Sequence, residues 1–214
     1  MSGAIVDAPR RPSLRVPAVL LSLAAIAALT FFAVAAAPYF VSSAYNAQQY
    51  AGRRGALLVH ITFGTIALLT GPIQLWLGIA DRRMNVHRQL GIVYMTAVAI
   101  SSIAAYVIAL TPSAGWIFGA GLMGLATAWI TTTVMAFLAI KRGLTEQHKE
   151  WTIRSYVVTL AFVFFRFGAI ALGALQPGNE LAQAQAMARA CWAGPLLVTE
   201  LFLQGRKVLA VQPI

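Results

Sequence analysis

Two ionisable residues lie inside apolar stretches of this chain, and they are the first candidates for chemistry. Arg166 interrupts the run 155–175, and Glu200 interrupts the run 191–205. An ionised group at membrane depth costs ~2.5–3.5 kcal/mol on insertion scales, so it is retained where it is paired and useful. We therefore expect Arg166 and Glu200 to pair, directly or through Gln74 or a water, and to form a polar intramembrane site with a catalytic or proton-relay role.

The three histidines predict a second kind of chemistry, the ligation of haem iron. A membrane b-type haem needs two imidazoles that face each other at similar depth. His87 and His148 both lie at the predicted cytoplasmic boundary, whereas His60 lies ~15 Å or more away by helical rise. At most one b-type haem is therefore expected, with His87 and His148 as iron ligands. Alternatively, His87 is an interfacial residue that hydrogen-bonds the neighbouring loop.

Several residues near this histidine pair are suited to hold haem propionates or an anionic substrate, because they offer guanidinium groups or aromatic rings. These candidate cofactor-binding residues are Arg82, Arg83, Arg88, Tyr94, Trp151 and Arg154.

Other chemistries match the sequence poorly. It contains neither an HExxH zinc motif nor a nucleophile elbow. The segment Gly119–Gly124 matches GxGxxG but lacks the preceding strand that dinucleotide binding requires. A single cysteine, Cys191, excludes an internal disulfide and a multi-cysteine metal site. We interpret these glycines and Cys191 as packing residues.

Composition places the candidate residues in a lipid-embedded protein. Of 214 residues, 59% are hydrophobic and only 10% are charged, which is more apolar surface than a soluble domain can bury. The net charge of +10 lies in short loops between apolar runs. It therefore indicates topology and contact with anionic lipids at the cytoplasmic face, and not nucleic-acid binding.

Six apolar stretches predict an all-α polytopic membrane protein, because each approaches the ~20 residues that a helix needs to cross a bilayer. The predicted spans are 16–40, 57–80, 91–111, 116–140, 153–175 and 187–206. The predicted organisation is a cytoplasmic tail over 1–15, one six-helix transmembrane domain over 16–208 and a C-terminal tail over 209–214. The first run is too long for a signal-peptide core, and we interpret it as a retained span.

Basic residues predict that both termini are cytoplasmic. With the N-terminus inside, twelve face the cytoplasm and only Arg53, Arg54 and Arg189 face outward. The twelve are Arg10, Arg11, Arg15, Arg82, Arg83, Arg88, Lys141, Arg142, Lys149, Arg154, Arg206 and Lys207. This pattern is typical of a multi-pass protein of the bacterial inner membrane.

Small and polar residues repeat on one face of three predicted helices, at the alternating spacing of four and three that keeps positions on one face. The faces comprise His60, Gly64, Ala67, Gly71, Gln74 and Gly78; His87, Gly91, Tyr94, Val98, Ser101 and Ala105; and His148, Thr152, Ser155, Thr159, Phe162 and Arg166. We expect them to converge in the bundle interior. Such faces also suit ordinary helix packing, a homo-oligomer or contact with other membrane proteins.

Two motifs carry a resemblance to a known family. They are HRxxGxxY over His87–Tyr94 and HxxWxxRSY over His148–Tyr156, accompanied by Gly71-Pro-Ile-Gln74. With Arg166 and Glu200, their order resembles a family of bacterial predicted multi-pass membrane proteins of unknown function, over roughly residues 55–205. This implies a membrane fold but no particular activity. More distantly, the chain is similar to haem-b ferric-reductase and cytochrome-b bundles, although it lacks their stacked histidine pairs.

Three functions remain open from the sequence. The first is redox or quinone-linked electron transfer through the His87–His148 pair. The second is a small proton-coupled transporter that uses Arg166, Glu200 and Gln74. The third is a non-catalytic assembly or partner subunit. Whether the protein is an enzyme, for instance one that modifies lipids, stays open as well.

Overall fold

The computed structural model describes residues 15–41, 52–112, 114–175 and 178–210, and every regular element within these ranges is helical. Helix α1, Arg15–Phe31, continues through a π-helical turn, Phe32–Ala36, and a 3-10 turn, Ala37–Tyr39. The other helices are α2 Arg54–Ile79, α3 Met84–Ala109, α4 Gly115–Lys141, α5 Thr145–Thr159, α6 Ala161–Leu175 and α7 Glu180–Ala210.

Four helices, α2, α3, α4 and α7, are long and apolar enough to cross a membrane. Helices α5 and α6 form one more candidate span, bent by 44° at a break that contains Leu160. The predicted all-helical membrane architecture is therefore confirmed, with four to five candidate spans within the described ranges. The difference from six lies in the first predicted span, where the apolar helical stretch Ile26–Tyr39 is shorter than a spanning helix.

The predicted boundaries differ from the helices at several points. Helix α7 begins at Glu180, seven residues before the predicted span, and α5 begins at Thr145, eight residues before. Both extra segments are polar, and a helix can continue beyond the lipid wherever its side chains reach water. Of the predicted tails, residues 1–14 and 211–214 lie outside the described residues, while Leu209 and Ala210 belong to α7.

The small and polar faces of α2 and α3 pack against each other, and this is the most extensive helix contact in the described bundle. Ala67, Val98 and Ser101 are almost completely buried there. A Cβ atom added at Gly78 would lie 3.1 Å from Cε1 of His87, so glycine permits the close approach of this ring. The α5 face contributes Ser155, which is 1% exposed. The expectation that the three faces converge is confirmed for these residues.

The glycines of the GxGxxG segment also pack between helices. Gly121 and Gly124 of α4 lie against Ala188 and Trp192 of α7, where an added Cβ would meet their atoms at 2.9 Å. Cys191 is buried in the same core. The interpretation of these residues as packing residues is confirmed.

The two ends of the bundle differ in charge. We call the end formed by the 80–83 and 142–144 connections and the last turns of α7 the basic end. The other end, formed by the start of α2 and the connections near Pro112 and Gly178, is called the far end. The histidine pair lies at the basic end, and His60 lies toward the far end.

Candidate functional site

The structure brings His87 and His148 together at the basic end. His87 lies in the first turn of α3 and His148 in the first turn of α5. Their ring centroids are 6.3 Å apart, and the ring planes cross at 89°. Helices α3 and α5 both start at this end, so their first turns place the two imidazoles at the same depth. The expectation that this pair is juxtaposed is confirmed.

A hydrogen bond to a backbone carbonyl orients each ring. His87 Nδ1 lies 2.9 Å from the backbone carbonyl oxygen of Gln74, and His148 Nδ1 lies 2.8 Å from that of Ala136. A carbonyl only accepts, so each Nδ1 donates, and in the neutral tautomer that matches this bond the lone pair lies on Nε2. Histidines that ligate metals are oriented by this kind of bond. Within the described chain, no group of three or more metal-ligating side chains is present.

Three of the predicted arginines lie near this pair in sequence. Arg82 and Arg83 belong to the α2–α3 connection, Arg88 follows His87 in α3, and all three are exposed. The connection turns sharply, since Asp81 and Arg83 have positive φ angles of 48° and 46°. These side chains lie at the surface of the basic end, next to the segment that carries His87.

Arg154 has a different environment from these exposed arginines. Its Nη2 lies 2.6 Å and its Nε 2.7 Å from Glu200 Oε2, and its Nη1 lies 3.5 Å from Glu150. The guanidinium stacks 4.7 Å from the Trp151 ring. Lys207 pairs with Glu150 at 2.8 Å, so two cations and two carboxylates form a neutral cluster between α5 and α7. Arg154 is thereby occupied by protein carboxylates.

The predicted pairing of Arg166 with Glu200 is wrong. Glu200 binds Arg154, whereas Nη2 of Arg166 donates to the Tyr39 hydroxyl at 3.2 Å. Arg166 lies twelve residues beyond Arg154, or ~18 Å of helical rise toward the far end. Gln74 does not join them, because it is buried between α2 and α3 with its Oε1 next to Gly91. The structure thus separates the three predicted catalytic candidates.

A buried network of hydroxyls lies next to the break between α5 and α6. Thr159 accepts hydrogen bonds from Trp129 Nε1 at 2.9 Å and from the Tyr94 hydroxyl at 2.7 Å, and it donates to the Ser155 carbonyl. Ser155 Oγ lies 2.8 Å from Tyr94 and 2.7 Å from Thr133. Along α3, Tyr94 lies seven residues, or about two helical turns, after His87. The hydroxyl network therefore does not adjoin the histidine pair.

A count of the hydrogens shows that the short contacts in this network cannot all be hydrogen bonds at one time. It contains six donor–acceptor contacts, including that of Thr133 with the Trp129 carbonyl. Four hydroxyls and one indole supply only five hydrogens. Once Tyr94 and Ser155 have donated, the Thr133 hydrogen must serve either Ser155 or the carbonyl. Sequence reasoning missed Trp129 and Thr133, because a tryptophan and a threonine in an apolar helix carry no distinctive signal.

His60 joins α2 to α3 near the far end. Its Nδ1 lies 3.0 Å from the Ser101 carbonyl oxygen, and the Ser101 hydroxyl donates to the His60 carbonyl at 2.9 Å. His60 and Gln74 are fourteen residues apart, so His60 lies ~21 Å from the turn of α2 that binds His87. The predicted separation of His60 from the other two histidines is confirmed.

These features define a polytopic helical membrane protein with polar side chains in its interior. The chain belongs to the family described as predicted membrane protein (DUF2306), whose match covers residues 57–203. Comparison with curated proteins and with solved structures found no match in either set. The expected family resemblance is confirmed, whereas the more distant likeness to haem-b reductases receives no support from these comparisons.

Proposed function

We propose that this protein is a membrane redox protein in which His87 and His148 hold one b-type haem. The observation that carries the proposal is the geometry of the pair. Two imidazoles from different helices stand at one depth, and each is oriented by a carbonyl that leaves Nε2 as the lone-pair atom.

The separation of the rings suits a shared metal ion. Two metal–nitrogen bonds of ~2 Å, with ~1 Å from each nitrogen to its ring centre, add to ~6 Å. The observed distance between ring centroids is 6.3 Å. A neutral imidazole paired with a second imidazole is a ligand set that haem iron accepts. The ring spacing and the free Nε2 atoms are therefore compatible with two imidazole ligands on one iron.

Bound haem iron would supply one-electron transfer, while the protein would supply ligands and charge. His87 and His148 would bind the iron, and the ring of His87 would pack against Gly78 while the Gln74 carbonyl orients it. Arg82, Arg83 and Arg88 are exposed in the same connection and first turn, where guanidinium groups would bind propionates. Arg154 is excluded from that role by its bonds to Glu200.

The proposal includes an orientation in the bilayer. The basic end would face the cytoplasm, both termini would lie inside, and α1 with its following turns would complete a six-span bundle in a bacterial inner membrane. This arrangement follows from the excess of Lys and Arg at that end. The same residues would contact anionic lipids of the cytoplasmic leaflet.

Absorption spectroscopy of the purified full chain tests the proposal. The reduced protein should show a Soret band and split α and β bands. His87→Ala and His148→Ala should each lose this spectrum, whereas His60→Ala is the matched control and should keep it. Because an alanine variant could misfold, His87→Met provides a second measurement. It supplies a thioether ligand and should retain haem with a raised potential.

Two results would overturn the proposal. One is a colourless wild-type protein after expression with an adequate haem supply. The other is equal loss of haem from His60→Ala and from the two proposed ligand variants, because His60 is ~21 Å away along α2.

A further inference from the structure

A cavity of about 530 Å³ opens inside the bundle toward the far end. It lies between α1 with its following turns, α2, α3, α4 and the α5–α6 pair, and it extends from Arg53 and Arg166 to Trp129 at mid-bundle. Sites that enclose small molecules have volumes of ~300–1,000 Å³ and mostly apolar walls. This cavity meets both criteria.

The bend at Leu160 accounts for the cavity. Helix α5 packs against α4, α7 and α2, whereas α6 packs chiefly against α7. The 44° change of direction therefore carries α6 away from α2 and leaves space between them. Phe162 and Val163 of α6 line that space. The side chains that face it are too small or too far apart to fill it.

The charged side chains that line the cavity are all cationic. Two arginines, Arg53 and Arg166, belong to its lining, and no aspartate or glutamate does. The ion pairs seen among the described residues involve Lys149, Arg154 and Lys207, and none of them includes Arg166. Among the described residues, Arg166 donates a hydrogen bond to the neutral hydroxyl of Tyr39. Its charge therefore has no acidic partner among the described residues.

The rest of the wall is mostly apolar, and its polar groups belong to Tyr39, His60, Thr65, Trp129 and Thr159. Leu57, Ile61, Leu122 and Phe165 are typical of it. His60 lines it at the level where Ser101 holds Nδ1, so its Nε2 lone pair remains available for a ligand. Thr159 lies at the deep end, beside Trp129.

We propose that this cavity binds an amphipathic anion, a molecule with a carboxylate or phosphate head and a single apolar chain. The head would bind Arg166 and Arg53 at the far end, and the chain would extend along the apolar wall to Trp129. Arg166 is exposed and has no acidic partner among the described residues, and a guanidinium beside an apolar cavity favours an anionic head group. The proposal does not depend on haem, since the histidine pair lies at the opposite end.

Binding is measured with the purified full chain in lipid nanodiscs, using cis-parinaric acid as the probe. Energy transfer from tryptophan reports its approach, because Trp129 lines the deep end of the cavity. Arg166→Gln should weaken binding by about 10-fold or more, as expected for the loss of a charged hydrogen bond. Arg142→Gln removes an exposed arginine at the basic end and is the matched control, which should bind like the wild type.

A second variant tests the location independently of charge. Val163→Trp places a large ring in the cavity and should abolish binding while leaving the helical circular dichroism unchanged. Competition distinguishes the sources of the anion. Decyl phosphate should displace the probe if a phosphate head is accepted, whereas inorganic phosphate alone should not. Displacement by lauric acid but not by decyl phosphate would assign the site to carboxylates.

Three results would overturn the proposal. The methyl ester of the probe, which is neutral, could bind as tightly as the acid. Arg166→Gln could bind like Arg142→Gln, which would show that the guanidinium has no role. A folded Val163→Trp variant could bind like the wild type, which would place the probe elsewhere.

Discussion

The Arg154–Glu200 ion pair allows a quantitative test, because its two side chains differ in exposure. The Arg154 side chain is 7% exposed, whereas that of Glu200 is 41% exposed. Removing one member of a fully buried pair costs ~3–5 kcal/mol, and removing an exposed pair costs ~0–1 kcal/mol. Glu200→Gln leaves the buried guanidinium with only the more distant Glu150, so we expect an intermediate cost of ~2 kcal/mol.

The reverse substitution should be milder in its electrostatic cost. Arg154→Met leaves a carboxylate that is 41% exposed and still accepts a hydrogen bond from Gln204, so the loss of its partner should cost ~1 kcal/mol or less, apart from lost stacking on Trp151. The double variant should recover ~1–2 kcal/mol relative to the sum of the single variants. The measurement is unfolding in mixed micelles by SDS titration, supported by thermal unfolding in detergent. There, Glu200→Gln should lower Tm by roughly 4–8 °C.

Arg166 supplies the matched cycle. It lies on the same candidate span, but it contacts Tyr39 and not Glu200. Arg166→Gln and Glu200→Gln should therefore add within ~0.5 kcal/mol. A coupling larger than 1 kcal/mol between Arg166 and Glu200, or none between Arg154 and Glu200, would refute the described pairing of α5 with α7.

The remaining predictions concern the histidine pair, the hydroxyl network and the topology. Because the imidazole planes cross at 89°, the ferric haem should give a highly anisotropic low-spin electron paramagnetic resonance signal; a rhombic signal typical of parallel planes would contradict this geometry. Gly78→Ala should lower haem content because its Cβ would crowd His87, while Gly55→Ala, with no atom near its added Cβ, should not. Thr133→Val should lower the free energy of unfolding by less than ~1 kcal/mol, since it leaves four contacts with four hydrogens. Thr159→Val leaves the Trp129 N–H without an acceptor and should lower it by ~1–3 kcal/mol. Equal losses would refute this count of hydrogens and contacts. Reporter fusions after Gly143 and Gly178 should lie in the cytoplasm and outside it, respectively, and the reverse at either position would refute the proposed orientation.

The sequence was sufficient to predict which faces meet in the bundle. A spacing of four and three identifies one face of a helix, and lipid drives small and polar residues to the protein interior. The structure places Ala67, Ser101 and Ser155 there. The approach of His87 to His148 followed in the same way, because both begin helices at one end. Such arguments use only periodicity and depth, which a single sequence contains.

The ion pair required register as well as depth. Glu200 lies 22 residues after Gly178, and an equal count backward reaches Tyr156, two residues from Arg154 and ten from Arg166. Two antiparallel helices joined near Gly178 therefore place Glu200 opposite Arg154. Span centres alone do not contain this information. Counting outward from the loop would have predicted the correct partner.

The bend at Leu160 was not predictable from the sequence, and the cavity follows from it. Sharp bends usually occur at proline, glycine or an inserted polar group. Neither proline nor glycine is present in Ser155–Phe165. The hydroxyl of Thr159 instead accepts bonds from α3 and α4 next to the break. Tertiary contacts of this kind arise only once the helices have packed.

The measurement that tests the central claim most directly is the number of haems per chain in the purified full-length protein. Haem is quantified by the pyridine haemochrome method and protein by amino-acid analysis. The geometry of His87 and His148 predicts one b-type haem per chain, and its spectrum should disappear in the His87→Ala variant. A protein that contains no haem after expression with an adequate haem supply, or one that contains two haems per chain, would contradict the proposed single site.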